Sequence, residues 1–180
     1  MYLQSFFFFY TMSTRSVVPL SSKLYGDLVD IVRKSYKDAC VLYIDKITNP
    51  LLEESFIKRK ELFMKSYGDA EELQLYHGTN SESVDSILEV GFKASYSKVA
   101  AYGRGTYFSA TSKYSKQYTD ITSDGLSFLL VNRVLLGQHT VSVNGSFTGD
   151  SGGDGRNIYV VKWDDAILPE YVICFHKNAA

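Results

Sequence analysis

The amino-acid sequence predicts a single α+β domain, because helical and strand patterns alternate in its first two thirds and strand patterns dominate from residue 126 onward. A chain of 180 residues with 45% hydrophobic and 22% charged positions suffices for one core and leaves little room for a second. The formal net charge is −1, and no run of five or more Lys and Arg residues marks a basic arm. We therefore expect a monomeric domain that does not bind nucleic acid.

Residues 1–24 are expected to form a loosely ordered amino-terminal tail, and residues 25–180 the domain. The apolar run at 6–10, Phe-Phe-Phe-Phe-Tyr, is much shorter than the ~20 residues that cross a membrane. A secretion signal is the second choice, since residues 1–5 carry no positive charge. A start of translation at Met12 is the third. No membrane association is expected, and the predicted location is intracellular.

The first elements alternate between helix and strand. Apolar positions recur at near-helical intervals between residues 25 and 36, and a β-branched run at 41–47 predicts a strand. Asn49-Pro50 is typical of a helix start, and Phe56 and Phe63 supply an apolar face. An amphipathic helix of about four turns should follow.

The next strand, predicted at 73–77, delivers His77 to its carboxyl end. Thr79 followed by Glu82 has the spacing of a capping box. The helix that follows should end at Gly91, because glycine is favoured just beyond a helix.

Residues 103–109, Gly-Arg-Gly-Thr-Tyr-Phe-Ser, bring two glycines up against two aromatic residues, which indicates a close approach of the backbone to another group. Residues 112–119 are predicted to be helical. On that helix Tyr114 and Tyr118 are i, i+4 neighbours, and Ser115 lies three residues before Tyr118. A hydroxyl group and an aromatic ring therefore share one face.

The carboxyl half is predicted to be rich in strands, with a hairpin turn at Asn144-Gly145. The predicted strands cover residues 128–136, 140–143, 158–163 and 171–175. Residues 149–155 hold four glycines and are expected to form a flexible, exposed loop. Cys40 and Cys174 lack zinc-site spacing and are expected to be buried thiols in a reducing compartment, so no metal is predicted.

Three separated segments together resemble one family. They are Leu75-Tyr76-His77-Gly78-Thr79, then residues 103–109 followed by Tyr114-Ser115 and Tyr118, and finally residues 158–173 with Pro169-Glu170-Tyr171. In this order they resemble the poly(ADP-ribose) polymerase superfamily of ADP-ribosyltransferases over roughly residues 36 to 176. The resemblance implies the ADP-ribosyltransferase fold, with a split antiparallel β-sheet core, flanking helices and an NAD cleft between two sheets.

The resemblance also implies roles for the end of the first segment. His77 would hold a ribose hydroxyl of the adenosine half of NAD, and Gly78 would contact the nicotinamide amide through its backbone. Thr79 belongs to the same cofactor-binding set. A second interpretation of His77 stays open: a core histidine bonded to a backbone carbonyl is the commoner fate of a lone His after an apolar strand.

The second segment is implied to hold the nicotinamide riboside. Tyr107 would lie against the ribose, Tyr118 would stack on the nicotinamide ring, and Ser115 would bond the carboxamide. Phe108 is expected in the core beneath the pocket. With 14 tyrosines in the chain, these roles depend on position within the motif.

The loop over residues 92–102 stands where the family covers the bound dinucleotide. Its Lys93 and Lys98, with Arg104 just beyond, are candidates to neutralise the pyrophosphate. An equally good interpretation is a solvated loop with incidental cations.

Polymerising members of the family carry a glutamate that, on alignment, falls at Ile158 here. Isoleucine can neither accept a hydrogen bond nor act as a base, so the resemblance implies transfer of a single ADP-ribose. A register error of one would place Asn157 or Tyr159 there, and neither is acidic. The catalytic set is thus His77, Tyr107 and Ile158, with NAD as donor and a protein as acceptor, including this protein at its own Glu or Asp side chains.

Two other functions are alternatives to this interpretation. The first is a catalytically silent pocket that serves as an interaction module, against which the joint presence of His77, Tyr107, Ser115 and Tyr118 argues. The second is an RNA 2′-phosphotransferase, which shares the fold but needs several basic residues aimed at a phosphate. The neutral charge balance and the single Arg104 near the pocket disfavour it.

Overall fold

Within residues 13–97 and 101–176, which the computed structural model describes, four α-helices flank nine strands. The helices are α1 (Lys23–Arg33), α2 (Pro50–Tyr67), α3 (Ser81–Val90) and α4 (Ser112–Ser115). The strands are β1 (Thr14–Val17), β2 (Cys40–Thr48), β3 (Glu72–Gly78), β4 (Thr106–Ser109), β5 (Leu126–Leu135), β6 (His139–Val141), β7 (Ser151–Gly153), β8 (Ile158–Val161) and β9 (Ile167–His176). Short 3₁₀ turns lie at Ala94–Tyr96, Lys116–Tyr118 and Asp164–Ala166.

The strands form one sheet in the order β1-β2-β9-β5-β3-β4-β8-β7-β6, antiparallel except for the parallel pair β6–β7. This confirms the predicted α+β class. Between β3 and β4 only one residue pair, Tyr76 with Ser109, is in register. The two predicted sheets are therefore two halves of one sheet that part almost completely at this point.

The core lies on both faces of the central strands β5 and β9. On β5, Leu130 and Val134 face one cluster with Phe56 of α2, whereas Leu129 and Val131 face a second cluster beneath α1. All four positions are almost fully buried. Burial on both faces explains why this stretch is a continuous apolar run without alternation.

Asn49 joins two helices. Its side-chain oxygen accepts from the Leu52 N–H at 3.2 Å and caps α2, while its amide nitrogen donates to the Leu88 and Glu89 carbonyls at the end of α3. The predicted helix start is confirmed, and the helix of 18 residues makes about five turns. It ends at Gly68 in the left-handed region.

The predicted capping box at Thr79 is wrong. Asn80 caps α3, its side-chain oxygen accepting from the Ser83 N–H at 2.8 Å. Asp120 accepts from both the N–H and the hydroxyl of Ser81 and satisfies a further free donor of the first turn. Asn is among the preferred N-cap residues, and its use leaves Thr79 between strand and helix.

The glycine-rich stretch 149–155 is not an exposed loop, as predicted, because it contains the buried strand β7. A Cβ on Gly152 would lie 2.3 Å from the Phe147 ring, and one on Gly153 would lie 1.8 Å from the Ile158 carbonyl oxygen. The glycines therefore let β7 fit closely between β6 and β8, a use of glycine that composition alone does not distinguish from flexibility.

Regular structure is present upstream of the predicted boundary between residues 24 and 25. Residues 14–17 form β1, whose backbone pairs with β2 at the edge of the sheet. Ser22 caps the first turn of α1. The division into tail and domain itself stays a prediction. The apolar run at 6–10 and Met12 lie outside the described residues.

In the described ranges no helix has the length and apolar character that a membrane span requires. Cys174 is buried, as predicted, whereas Cys40 is exposed at the start of β2, and both are free thiols.

Candidate active site

A cavity of about 930 Å³ opens where the two halves of the sheet part. β3 and α3 supply one wall, and β4, α4 and the start of β8 supply the other. Every residue predicted as catalytic or cofactor-binding lines it. These are His77, Gly78, Thr79, Tyr107, Phe108, Ser115, Tyr118 and Ile158.

The ring of His77 is held by its neighbours. Nδ1 lies 2.8 Å from the Tyr107 carbonyl oxygen, which can only accept, so Nδ1 carries the proton. Phe92 and Phe108 pack against the ring, with centroids 4.9 and 5.6 Å away. Burial lowers the pKa of His77, partly offset by the bond to Tyr107. The neutral ring leaves Nε2 as a hydrogen-bond acceptor.

Both sequence interpretations of His77 therefore describe part of its surroundings. One nitrogen is bonded to a backbone carbonyl, as expected of a core histidine, and the same residue lines the cavity. Phe108 is buried in the core beneath the cavity, where it was predicted. The carbonyl that orients His77 belongs to the second motif, so neither motif forms the pocket alone.

Gly78 is required by a backbone contact. A Cβ at this position would lie 1.9 Å from the Ser115 carbonyl oxygen, closer than any real contact. Ser115 is buried, and its hydroxyl donates to the Tyr76 carbonyl at 2.9 Å. These contacts dock α4 directly on the end of β3. The Ser115 oxygen keeps its lone pairs for a donor such as a carboxamide N–H.

The hydroxyl of Tyr107 ties down the chain that precedes it. It donates to the Gly103 carbonyl at 2.7 Å and accepts from the Tyr102 N–H at 3.0 Å. Burial raises the pKa of Tyr107. The hydroxyl therefore stabilises the loop, and the aromatic ring is what the residue offers to the cavity.

Tyr118 presents an open aromatic surface, with 55% of the residue exposed. Its hydroxyl shares a hydrogen bond of 3.0 Å with that of Tyr114, and the ring centroids lie 5.5 Å apart at 49°. This hydrogen bond is the main cause of the raised pKa of Tyr114, about 12. The predicted neighbour relation between the two tyrosines is confirmed, although the helix tightens to a 3₁₀ turn after Ser115.

Ile158 opens β8 opposite Ser109 and is only 5% exposed. It packs in a small cluster with Phe147 and Val160, against which Tyr107 also lies. Among the residues that the structure describes, no acidic side chain lines the cavity. The cavity wall is therefore apolar at Ile158.

The acidic residue nearest in sequence, Asp154, is committed to the backbone. One of its oxygens accepts from the N–H groups of Arg156, Asn157 and Ile158 at 2.7 to 2.9 Å. Burial alone would raise the pKa of Asp154, but these donors outweigh it and the pKa is lowered. The register neighbours are occupied elsewhere: Asn157 accepts from the Ser109 hydroxyl, and Tyr159 packs on a histidine of β6.

Of the cations predicted beside the pyrophosphate, Lys93 lines the cavity and Arg104 does not. The Lys93 ammonium lies 3.7 Å from an Asp164 oxygen whose partner oxygen accepts from the Ala94 N–H at 2.8 Å. Arg104 is exposed and is not among the lining residues, and Lys98 lies outside the described residues. Sequence reasoning missed Asp164, since an acidic pair after a strand is equally typical of a solvated turn.

Thr106 is a second residue that the motif did not single out. It lines the cavity and is 6% exposed, and its hydroxyl has no hydrogen-bond partner among the described atoms. Over the part of the chain that the structure covers, no group of three or more His, Cys, Asp and Glu side chains could hold a metal ion. The cavity thus combines aromatic walls, several hydroxyls and one cation.

Comparison with known proteins identifies a family whose model matches this chain. Residues 23–147 match the Poly(ADP-ribose) polymerase catalytic domain. Protein mono-ADP-ribosyltransferase PARP14 of Homo sapiens is 31% identical over 154 residues, covering 74% of this chain and 9% of that protein. The human mono-ADP-ribosyltransferases PARP12 and PARP11 are each 27% identical, covering 88% and 89% of this chain. The chain spans 25% and 59% of their lengths.

Proposed function

Because the chain belongs to the Poly(ADP-ribose) polymerase catalytic domain family, we propose that it is an NAD-dependent mono-ADP-ribosyltransferase. The match confirms the family that the three sequence segments predict. The observation that carries the proposal is one cavity lined by His77, Tyr107, Tyr118 and Ile158, with no carboxylate among its described lining residues. Its proposed reaction transfers one ADP-ribose to a protein and releases nicotinamide.

The donor half of the cavity supports NAD binding. Nε2 of neutral His77 can accept from a ribose hydroxyl, and Tyr118 offers an open ring face for stacking, worth about 1 kcal/mol. Ser115 and the backbone of Gly78 lie together at the end of β3, where a carboxamide can meet both a hydroxyl and a backbone group. The nicotinamide would therefore lie between Tyr118 and Tyr107.

The proposed chemistry breaks the bond between the anomeric carbon of the ribose and the nicotinamide nitrogen. Nicotinamide leaves with the bonding electron pair, and an acceptor oxygen forms the new bond to the same carbon. Positioning and charge stabilisation dominate such a step. A carboxylate acceptor is already deprotonated at neutral pH and needs no base, so Glu and Asp side chains, including those of this protein, are the proposed targets.

Transfer should stop after one unit. Adding a second ADP-ribose requires activation of a neutral ribose hydroxyl, and Ile158 offers neither a hydrogen-bond acceptor nor a base at the relevant wall. Asp154 does not replace it, because the backbone of residues 156–158 uses its carboxylate. A phosphotransferase is disfavoured, since Lys93 is the one cation among the described lining residues.

We also infer that the protein acts inside the cell as a monomer. Both of its cysteines, Cys40 and Cys174, are free thiols, and the first is exposed. Exposed free thiols are typical of reducing compartments. Localisation of the tagged full chain by microscopy and its mass by light scattering would test the two inferences separately.

The enzymatic proposal is tested by incubating the purified chain with labelled NAD and mapping the product by mass spectrometry. We expect label on Glu or Asp side chains, in single ADP-ribose units, and a loss of at least about 100-fold in His77→Ala and Tyr107→Ala. His176→Ala, at the exposed end of β9, is the matched control and should retain full labelling. Absence of both labelling and NAD binding in calorimetry would instead favour the catalytically silent interaction module.

A further inference from the structure

Asp164 lies in the turn between β8 and β9. It contacts Lys93 and Ala94, the first two residues of the segment 93–97, which we call the cap segment. We propose that Asp164 is a positioning residue for the dinucleotide. It fixes the cap segment at the cavity and holds the Lys93 ammonium beside the cavity until the diphosphate of NAD takes it over. This inference rests on the proposed function, since it assumes that the cavity receives NAD.

The first contact fixes the backbone of the cap segment. Ala94 opens a 3₁₀ turn whose own N-cap residue, Lys93, makes no side-chain capping bond. Asp164, 70 residues away in sequence, accepts from the Ala94 N–H at 2.8 Å and supplies the cap instead. Ser95 and Tyr96 of the same turn line the cavity. Asp164 therefore determines where this part of the wall lies.

The second contact is weak enough to be exchanged. The Lys93 ammonium lies 3.7 Å from the other Asp164 oxygen, and the two side chains are 42% and 40% exposed. Partly exposed pairs of this kind contribute little to stability and are screened by salt. A diphosphate offers the ammonium more oxygens and more charge than one carboxylate. Lys93 can therefore leave Asp164 for the ligand at small cost.

The residues on either side of Asp164 form a rigid base. Asp165 accepts two hydrogen bonds from the Arg59 guanidinium, at 2.8 and 3.0 Å. That guanidinium lies over the Trp163 ring, 4.5 Å from its centroid, and the indole N–H donates to Asp150 at 2.8 Å. Because both neighbours are anchored, Asp164 presents its carboxylate from a fixed point of the fold.

The geometry also predicts which part of the ligand depends on Asp164. The cap segment follows Phe92, whose ring packs 4.9 Å from His77, on the side proposed to hold the adenosine ribose. Ser115 and Tyr118, proposed to hold nicotinamide, belong to a different element and do not contact Asp164 in the described structure. Loss of Asp164 should therefore weaken ligands that carry a diphosphate and leave free nicotinamide unaffected.

The test measures dissociation constants of NAD, ADP-ribose and nicotinamide by calorimetry for wild type, Asp164→Ala and Asp164→Asn. Asp164→Ala should weaken NAD and ADP-ribose about tenfold, as expected for a lost hydrogen bond to a charged group, and change nicotinamide less than about twofold. Asparagine still accepts the Ala94 N–H but no longer pairs with Lys93. Asp164→Asn should therefore bind NAD and ADP-ribose at least as tightly as wild type.

Asp124→Ala, an exposed aspartate before β5, is the matched control and should leave all three constants unchanged. The proposal fails if Asp164→Ala keeps wild-type affinities, if it weakens all three ligands equally, or if Asp164→Asn is as weak as Asp164→Ala. A wild-type chain that binds ADP-ribose but transfers none would refute the transferase and leave this role intact. A wild-type chain that binds neither NAD nor ADP-ribose refutes both proposals.

Discussion

Two regions beside the cavity are built by different means, and we call them the donor wall and the acceptor wall after their proposed roles. The donor wall comprises β3, β4 and α4, residues 72–78, 106–109 and 112–115, and its fixing contacts run between separate motifs. The acceptor wall comprises residues 137–158, of which Ile158 is among the described lining residues, and its fixing contacts are mostly internal, such as those of Asp154 with the next turn. Motif recognition therefore describes the first wall well and the second poorly.

On the donor wall each polar group is oriented by the backbone of another segment. His77 bonds the Tyr107 carbonyl, and Ser115 bonds the Tyr76 carbonyl. On the acceptor wall the residue that lines the cavity is Ile158, whose side chain makes only apolar contacts. The proposed NAD site thus depends on a few hydrogen bonds between separate segments, whereas the proposed acceptor side depends on the close packing of a glycine-rich segment.

The largest expected effect comes from Gly78→Ala. The added Cβ would meet the Ser115 carbonyl oxygen at 1.9 Å, and since both groups are near the backbone, α4 must move away from β3. We expect a loss of about 3 kcal/mol in the free energy of unfolding and at least about 100-fold in NAD affinity. Denaturant unfolding and calorimetry measure the two effects.

Gly26→Ala is the matched control for that substitution. Gly26 lies inside α1 with nothing within 4 Å of an added Cβ, so alanine should stabilise the helix by about 0.5 to 1 kcal/mol and leave NAD affinity unchanged. Wild-type NAD affinity in Gly78→Ala would contradict the close docking of α4 on β3.

Gly153→Ala is the acceptor-wall counterpart. Its Cβ would lie 1.8 Å from the Ile158 carbonyl oxygen, so β7 must separate from β8. We expect a loss of about 2 kcal/mol in stability and about tenfold in transfer rate, with NAD affinity within about threefold of wild type. Equal losses of NAD affinity in Gly153→Ala and Gly78→Ala would contradict the proposal that the donor wall alone determines NAD binding.

The same contrast explains what could be predicted from the sequence. The start of α2 after Asn49 and the strand that ends near His77 follow from local patterns, whereas the place of Tyr107 at the cavity follows from the family resemblance. The burial of β7 does not, because close packing and flexibility both select glycine. Asp164 was missed since its partner, Ala94, is 70 residues away and a backbone N–H carries no sequence signal.

Ile158→Glu tests whether one carboxylate changes the product. The side chain would enter a position 5% exposed beside Phe147 and Val160, so we expect a loss of about 2 kcal/mol in stability. Product should remain a single ADP-ribose, because acceptor orientation also depends on the glycine-rich wall. Ile158→Val, expected to cost about 1 kcal/mol, controls for packing. Long polymer from the glutamate variant would contradict this prediction.

Thr106→Val tests an unpaired hydroxyl on the donor wall. Because the buried oxygen has no partner among the described atoms, replacing it with a methyl of similar shape should raise the stability of the ligand-free protein by about 1 kcal/mol. Thr106→Ser keeps the hydroxyl and loses the methyl, so it should be destabilising. If Thr106→Val lowers the stability of the protein instead, the Thr106 hydroxyl has a hydrogen-bond partner in solution, and this prediction is wrong.

The smallest effect expected near neutral pH concerns His77. Burial lowers its pKa below the ordinary value of 6.5, so its folded form stays neutral where the unfolded chain begins to protonate. Its contribution to stability is thus complete above 6.5 and is lost as the pH falls through the lowered pKa. NAD affinity should fall only as the pH drops through the lowered pKa of the folded protein, because protonated Nε2 cannot accept from ribose. Calorimetry between about pH 5 and about pH 8, with His176→Ala as control, measures this affinity, and weakening that begins above 6.5 would contradict the lowered pKa of the buried ring.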